Sequence, residues 1–227
     1  MGHAPGPPTV AIVVPVLDEV EVLPGLAEHL AATAPAAEVV VVDGGSADGS
    51  AREAEGLGLR VIEAPRGRGP QMNAGAAATR AERLLFLHAD TRLPEAATDC
   101  IVATLADPKV ALGAFAFRFD RRGLRLGFVE GGARLRNRVA AVPYGDQALF
   151  LKRSVFDALG GFREGPMEDL DLVLRARRKG RVVVRPEPAV TSARRYVERG
   201  PLRLMLRHWA LTARWGLGWR PEDEVRR

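Results

Sequence analysis

The sequence predicts an α/β protein: a mostly parallel, Rossmann-like central sheet flanked by helices. Three observations predict it. Short continuous apolar runs recur at Val10 to Val14, Val39 to Val42 and Leu84 to Leu87, with a third strand read between the last two at Leu59 to Glu63. Runs that do not alternate mark strands buried on both faces. Each run is followed by a stretch with helical spacing, which argues for parallel strands joined by right-handed crossovers. Finally, Asp43 and Asp90 stand at the ends of the second and fourth strands, where open α/β sheets gather their ligands.

In order along the chain, Pro15 closes the first strand and Val16-Leu17-Asp18-Glu19 is a loop. Val22, Leu23, Leu26, Ala27 and Leu30 then recur at helical spacing up to about Thr33, with Pro24 in the first turn. The second strand leads into a polar loop, Gly44 to Ser50, where Ser46 or Asp48 is placed to cap a short helix through Arg52 to Gly56. After the third strand, Arg66-Gly67-Arg68-Gly69-Pro70 is a basic glycine-rich loop leading to an Ala-rich helix from Gln71 to Glu82. The fourth strand follows and ends at His88-Ala89-Asp90. Beyond it the pattern predicts a helix over Pro94 to Ala106, a longer strand over Val110 to Phe119 and a basic amphipathic helix or helix pair over Gly123 to Val142. Pro143 to Asp146 is a turn, Gln147 to Leu151 a short strand, and Arg153 to Leu159 a short helix broken by Gly160-Gly161-Phe162. Met167 to Lys179 is a strong helix stopped at Gly180, followed by a strand at Val182 to Val184.

With 227 residues and 47% hydrophobic content the chain can bury a sizeable core. It has no run near the ~18–20 apolar residues of a membrane span. The Gly- and Pro-rich start, residues 1–8, reads as flexible and lacks the pattern of a signal peptide. The single cysteine, Cys100, excludes an internal disulfide and a cysteine metal cluster, and suits a cytoplasmic setting. A net charge of +5 favours anionic partners. Nucleic acid is disfavoured, because the sheet region has no aromatic stacking motif in a basic context. The tail from Leu202 to Trp219 mixes Arg with Trp and Leu. Two readings stay open for it: contact with the inner face of a membrane, or packing against the domain or a second copy.

Three groups of carboxylates then stand out: Asp43, Asp90 and the Glu168-Asp169 pair opening a helix. Each alone has a plain explanation, a turn or a helix N-terminus. Together they would converge on one crevice, with Arg68 between them in sequence. Arg68 suits a phosphate, although its loop is neither a Walker A nor a Rossmann fingerprint. A divalent cation on a diphosphate needs few protein ligands, so Asp90 alone would suffice. His88, a softer donor, is either a ligand or a packed residue.

The ordered set Val13 to Glu19, Val41 to Ser50, Asn73-Ala74-Gly75, Leu85 to Asp90 and Met167-Glu168-Asp169 resembles the family 2 glycosyltransferases, which have the GT-A fold. Gln71 to Gly75, His88 to Thr91, Pro143 to Gln147 and Thr191 to Arg195 resemble more narrowly a small bacterial subgroup named for radical-SAM or selenium-related genomic context. The resemblance implies one catalytic domain over residues 9–200, with a nucleotide-binding half at 9–93, an acceptor half at 94–200, and a basic, aromatic tail at 201–227. It implies a UDP- or GDP-sugar donor, an Mg²⁺ or Mn²⁺ ion, and transfer to an acceptor hydroxyl with inversion. Asp43 would meet the base, Glu19 the ribose, and Arg68 the base or diphosphate, with Pro15, Leu17, Gly44, Asn73 and Ala89 along the nucleotide. Asp90 matches the last Asp of the family's Asp-x-Asp motif and would bind the metal; His88 takes the place of the first. Asp169, with Glu168 beside it, matches the catalytic base, and Tyr144, Gly145, Asp146 and Gln147 would line the sugar and acceptor end. Asp18 departs from the family's usual Asn, and the Gln-x-x-Arg-Trp motif of processive synthases is absent, so one sugar is expected per encounter. The rival readings are a nucleotidyltransferase and an inactive nucleotide-sugar-binding protein.

Overall fold

The computed structural model describes residues 9–165 and 167–200, with Ala210 alone beyond them. The tail expectations for 201–227 therefore lie outside the described residues. Strands β1 (Val10–Val16), β2 (Glu38–Asp43), β3 (Arg60–Glu63) and β4 (Arg83–Phe86) are parallel and lie in the order β3-β2-β1-β4. Helices α1 (Leu23–Thr33), α2 (Ser50–Gly56) and α3 (Arg68–Ala78) connect them. The apolar runs are continuous because alternate side chains enter different cores. Ile12, Val14, Val41 and Leu85 pack with Leu23, Leu26 and Leu30 of α1. Val13, Val40, Val42 and Phe86 pack with Met72 and Ala76 of α3. At Gly75, α3 comes so close to β1 and β2 that a Cβ would overlap Val13 and Val42.

The second half completes the sheet differently. It adds β5 (Thr91–Arg92), α4 (Ala97–Ala106), β6 (Val110–Phe119), α5 (Leu124–Ala140), β7 (Leu149–Lys152), α6 (Arg153–Leu159), α7 (Glu168–Ala176), β8 (Arg181–Thr191) and α8 (Arg194–Arg199). The full order is β3-β2-β1-β4-β7-β6-β8-β5. β7 is antiparallel to both β4 and β6, while β8 is parallel to β6. The two-residue β5 leaves the centre of the sheet and pairs with the far end of β8. That pairing curls the sheet and brings Thr191 and Ser192 against Asp90: Ser192 N–H donates to the Asp90 carbonyl at 3.1 Å. Among the described residues, no helix is long and apolar enough to cross a membrane.

Several boundaries differ from the sequence reading. β4 ends at Phe86, and His88 to Asp90 form a turn closed by the Thr91 N–H donating to the His88 carbonyl. His88 and Asp90 are thus not on an extended strand end. α3 begins at Arg68, because Gly67 takes a positive φ and Pro70, lacking an N–H, sits without cost in the first turn. β8 continues through Pro186 and Pro188 because the ladder to β6 slips there, from Phe115 opposite Arg185 to Ala116 opposite Pro188. A bulge needs no donor at the displaced positions. Gln147 belongs to a 3-10 turn, Gly145–Gln147, and the strand starts at Leu149.

Where β6 meets β7, Gly113 faces Phe150, and the buried Phe150 ring occupies the place a Cβ would take. Gly113→Ala should therefore cost on the order of 2–3 kcal/mol by overpacking. The loss should be read as a lower urea midpoint at unchanged slope. An unchanged midpoint would mean the ring swings aside freely.

Candidate functional site

A cleft of 320 Å³ opens beyond the carboxyl ends of β1 and β4, beside the start of α3. Its walls include Pro15, Leu17, Glu19, Arg68, His88, Ala89 and Asp90, all singled out from sequence. Arg66, Gly67 and Gln71 also line it and were not assigned there. Arg66 had a signal, since it lies in the same basic loop. Two guanidinium groups and the positive end of α3 make this wall suited to an anion.

Asp43, Gly44 and Asn73 do not line the cleft; they build what supports it. The Asp43 carboxylate accepts from Gly45 N–H and Ser46 N–H, both at 2.9 Å, and from the Ser46 hydroxyl. Ser46 Oγ accepts from Asp18 N–H at 3.0 Å, and Asp18 Oδ1 accepts from Ala47 N–H at 2.8 Å. Ser50 and Asp48 take the N–H groups of Glu19 and Val20. The loop after β1 is thus laced to the loop after β2, and Glu19 is held at the rim. Asp18 sits at φ 54°, a conformation that Asn and Asp tolerate best. This explains an Asp where the resembling family has Asn. The N-cap of α2 is Gly49, in the left-handed conformation and with no side-chain cap, so neither Ser46 nor Asp48 is the N-cap; Asp48, one residue earlier, accepts from Ser50 N–H. Gln71 donates from Nε2 to the carbonyls of Val16 and Val42 at 2.8 Å each, pinning the ends of β1 and β2. Asn73 spends both ends of its amide on the Phe162 backbone, at 2.9 Å each, tying α3 to the loop after α6.

The acidic side of the site is assembled by α7 and the turn at Gly145. The Asp169 carboxylate accepts from Gly145 N–H at 2.6 Å and from Leu170 N–H at 2.8 Å. A Cβ on Gly145 would lie 3.1 Å from His88 Nε2 and 3.2 Å from Asp169 Oδ2. His88 and Asp169 therefore approach the same point, and glycine leaves room for both. Tyr144 and Gln147 serve the scaffold. Gln147 is buried, donates to the Phe115 carbonyl at 2.8 Å and accepts from Arg136 at 3.0 Å. The Arg136 guanidinium lies over the Tyr144 ring at 3.5 Å. On the other rim, Glu19 pairs with Arg194 of α8 at 3.3 Å, a link across 175 positions that local pattern could not reveal.

Asp146 and Glu168 are electrostatically strained. Burial pushes the Asp146 carboxyl up to about 6; Arg136 and Arg68 oppose the shift, while Asp169 and Asp90 add to it. Among the described residues, Asp146 Oδ1 is buried without a hydrogen-bond partner. Burial, then the neighbouring Asp169 charge, pushes Glu168 up to about 7, with Arg68 opposing. Arg68 thus acts on both the cleft and the acidic pair. A hard divalent cation suits this donor set: Asp90 on the cleft wall, and near it an orphaned carboxylate oxygen that a cation would satisfy. Among the described residues no three metal-ligating side chains converge, so further oxygens would have to come from a ligand.

The raised Glu168 carries a pH consequence. A carboxyl whose folded pKa is about 7 against an ordinary 4.5 binds more protons folded than unfolded across that interval. Stability therefore falls as pH rises through the window, and is lowest above it. Glu168→Gln should remove the penalty, gaining on the order of 2 kcal/mol at pH 8 relative to pH 5. Denaturant melts at the two pH values test it. A gap between variant and wild type that does not change with pH would contradict the assignment.

A sequence model described as Glycosyl transferase family 2 matches residues 11–163. A search of curated protein sequences found no match. Among solved structures, the chain is similar to the mannosyltransferase PcManGT from Pyrobaculum calidifontis in complex with GDP-Man and Mn²⁺, at 20% identity and TM-score 0.64, over 82% of this chain and 57% of that one. It is similar to TarS 1-349 of S. aureus in complex with UDP-GlcNAc, at 18% identity and TM-score 0.62, over 81% and 58%. It is also similar to glucosyl-3-phosphoglycerate synthase from Mycobacterium tuberculosis in complex with phosphoglyceric acid, at 17% identity and TM-score 0.60, over 79% and 70%. The chain spans less than two thirds of the length of the first two. At these identities the likeness establishes the fold.

Proposed function

This chain belongs to glycosyl transferase family 2 and has the GT-A fold, and from that premise we propose that it is a metal-dependent, inverting glycosyltransferase. It moves one sugar from a UDP- or GDP-sugar to an acceptor hydroxyl. The observation that carries the proposal is the junction at Gly145, where Asp169 meets His88 and the Asp90 turn at the edge of a cationic cleft. Nucleotide-sized space, an anion-binding wall and a positioned carboxylate are thereby contiguous.

In this reading the nucleoside lies along Pro15, Leu17 and Glu19, with the diphosphate toward Arg66, Arg68 and the start of α3. Asp43 and Gly44 shape the base end from beneath, and Asn73 holds α3 in place. Asp90 would hold Mg²⁺ or Mn²⁺, with Asp146 close by; when bound, the ion neutralises charge on the departing diphosphate. Arg68, on the cleft wall at the first turn of α3, stabilises the same developing charge. Asp169 accepts the proton of the acceptor hydroxyl as its oxygen attacks the anomeric carbon from the face opposite the leaving group. A single displacement of this kind inverts the anomeric centre. The two backbone donors on Asp169 fix the carboxylate before the acceptor arrives, which lowers the cost of orientation. Within the family we assign the chain to the bacterial subgroup on the Gln71 to Gly75, Pro143 to Gln147 and Thr191 to Arg195 motifs. Three of these residues now have physical tasks: Gln71 pins two strands, Gly145 admits His88 and Asp169, and Arg194 pairs with Glu19.

The test is a thermal-shift screen of UDP, GDP and their sugars with Mn²⁺, Mg²⁺ or chelator. A ligand that binds only the folded chain raises its midpoint. A shift with one nucleotide series that depends on the ion is expected. No shift with any nucleotide would overturn the proposal.

A further inference from the structure

We infer that α5 is a membrane-docking helix that lays its outer face on an anionic lipid surface. The helix has two apolar faces. Leu126, Val129 and Ala133 are buried against Phe119 and Ala193. On the opposite side Leu124, Phe128, Leu135 and Val139 form a second stripe, 88%, 68%, 58% and 78% exposed. Their spacing of i, i+4, i+11 and i+15 keeps them on one side of a helix. A helix that serves only its own domain has no use for a second apolar face. Exposed apolar side chains scattered singly are ordinary, but four in line are not.

The charges beside the stripe choose the occupant. Arg121, Arg122, Arg125, Arg134 and Arg138 are all exposed. Among the described residues none of the five takes part in an ion pair. The one acid between 121 and 141, Glu130, is turned inward and accepts from Phe119 N–H at 2.8 Å. A second copy of this face would set arginines against arginines. Residues 201–227 carry six arginines against three acids, so they too match the stripe poorly in charge. An anionic bilayer supplies both what the apolar stripe needs and what the arginines need. On the same flank a cavity of 620 Å³ between α5, β6 and β8 is lined by Arg118, Arg134 and Arg138. It offers lipid phosphate headgroups a second layer of contacts. From the sequence, membrane contact is one of two readings for the tail at Leu202 to Trp219, which apart from Ala210 lies outside the described residues; the α5 face is a separate surface. The helix leads within a few residues to the Gly145 turn, so docking here would hold the acceptor side of the site near the lipid surface.

Co-sedimentation of the full chain with phosphatidylcholine vesicles, with and without phosphatidylglycerol, tests the inference. The wild type should pellet with the anionic vesicles and weakly or not at all with the neutral ones. Phe128→Glu/Leu135→Glu should reduce anionic binding at least about tenfold. Arg134→Glu/Arg138→Glu should erase the preference for phosphatidylglycerol. These side chains face solvent, so thermal midpoints should stay near wild type; if the double variant does not fold, Phe128→Ser carries the same comparison. The inference is overturned if the wild type stays in the supernatant, or if the stripe variants pellet like the wild type. It is also overturned if light scattering shows a dimer that Phe128→Glu/Leu135→Glu dissolves.

Discussion

Asp169→Asn should lower sugar transfer by ~10³-fold or more while donor affinity stays within about twofold. The split follows from where the residue sits. Asp169 does not line the cleft that would hold the nucleotide; it accepts from Gly145 N–H beside it, which the proposed function takes as the acceptor end. An amide there keeps the shape and loses the basicity. It also loses one of the two backbone bonds, because the Gly145 and Leu170 N–H groups go to different carboxylate oxygens and the Nδ2 that replaces one of them donates and cannot accept. That costs ~1 kcal/mol of stability, far less than the loss in rate. Turnover should be followed by nucleotide release, and donor affinity by calorimetry on the same preparation. Equal losses in both would sink the base assignment. Glu168→Gln is the necessary companion. Glu168 also has a raised pKa, about 7, and a neighbouring acid with that property is a rival for the same task. Transfer within about tenfold of wild type in Glu168→Gln leaves the task with Asp169; the reverse pattern moves it one residue back.

What the sequence made legible was whatever is local in the chain. Most of the parallel half could be read because β1, β2 and β4 are built on contiguous apolar runs, whereas β3 carries Arg60 and Glu63. The cleft wall could be read for the same reason, since strand ends in a parallel sheet must share one side. Contacts between distant segments left no such trace. The lacing of Asp18 to Ser46 and Ala47 spans 28 and 29 positions, and the clamp of Asn73 on Phe162 spans 89. Both used residues that sequence reading had sent to the nucleotide or left without a role. β8 was read as three residues because prolines ordinarily end a strand, and only the slipped ladder to β6 shows how it continues. Gly145 was placed at the acceptor end, but its reason, room for His88 and Asp169 together, is a property of three elements at once. His88 shows the limit most clearly. Its position beside Asp90 leaves it either a ligand or a packed residue, and its approach to Gly145 beside Asp169 is a direction that no one-dimensional pattern encodes.

Asp90→Ala should abolish the dependence of donor binding on divalent metal, weakening affinity ~10²-fold in Mn²⁺ or Mg²⁺ to the level of wild type in chelator. The residue is well placed to be lost cleanly. Among the described residues its side chain takes only long contacts, from the Thr91 hydroxyl at 3.4 Å and the Thr191 hydroxyl at 3.5 Å, which are weak hydrogen bonds. The turn itself is held by backbone, through Thr91 N–H to the His88 carbonyl and Ser192 N–H to the Asp90 carbonyl. Removing the carboxylate therefore leaves the cleft wall standing, with a stability change within ~1 kcal/mol. It also removes one of the charges that raise Asp146, so a thermal melt should show no loss at neutral pH beyond that margin. Arg68→Ala supplies the contrast. In the proposed function Arg68, on the cleft wall, meets the anionic donor, so its loss should weaken binding with metal and without it alike. The two variants thus separate a ligand to the ion from a ligand to the phosphate. Should Asp90→Ala bind donor more tightly on addition of Mn²⁺ by the same factor as wild type, the metal site would have to be sought elsewhere, with Asp146 and its orphaned oxygen the next position to test.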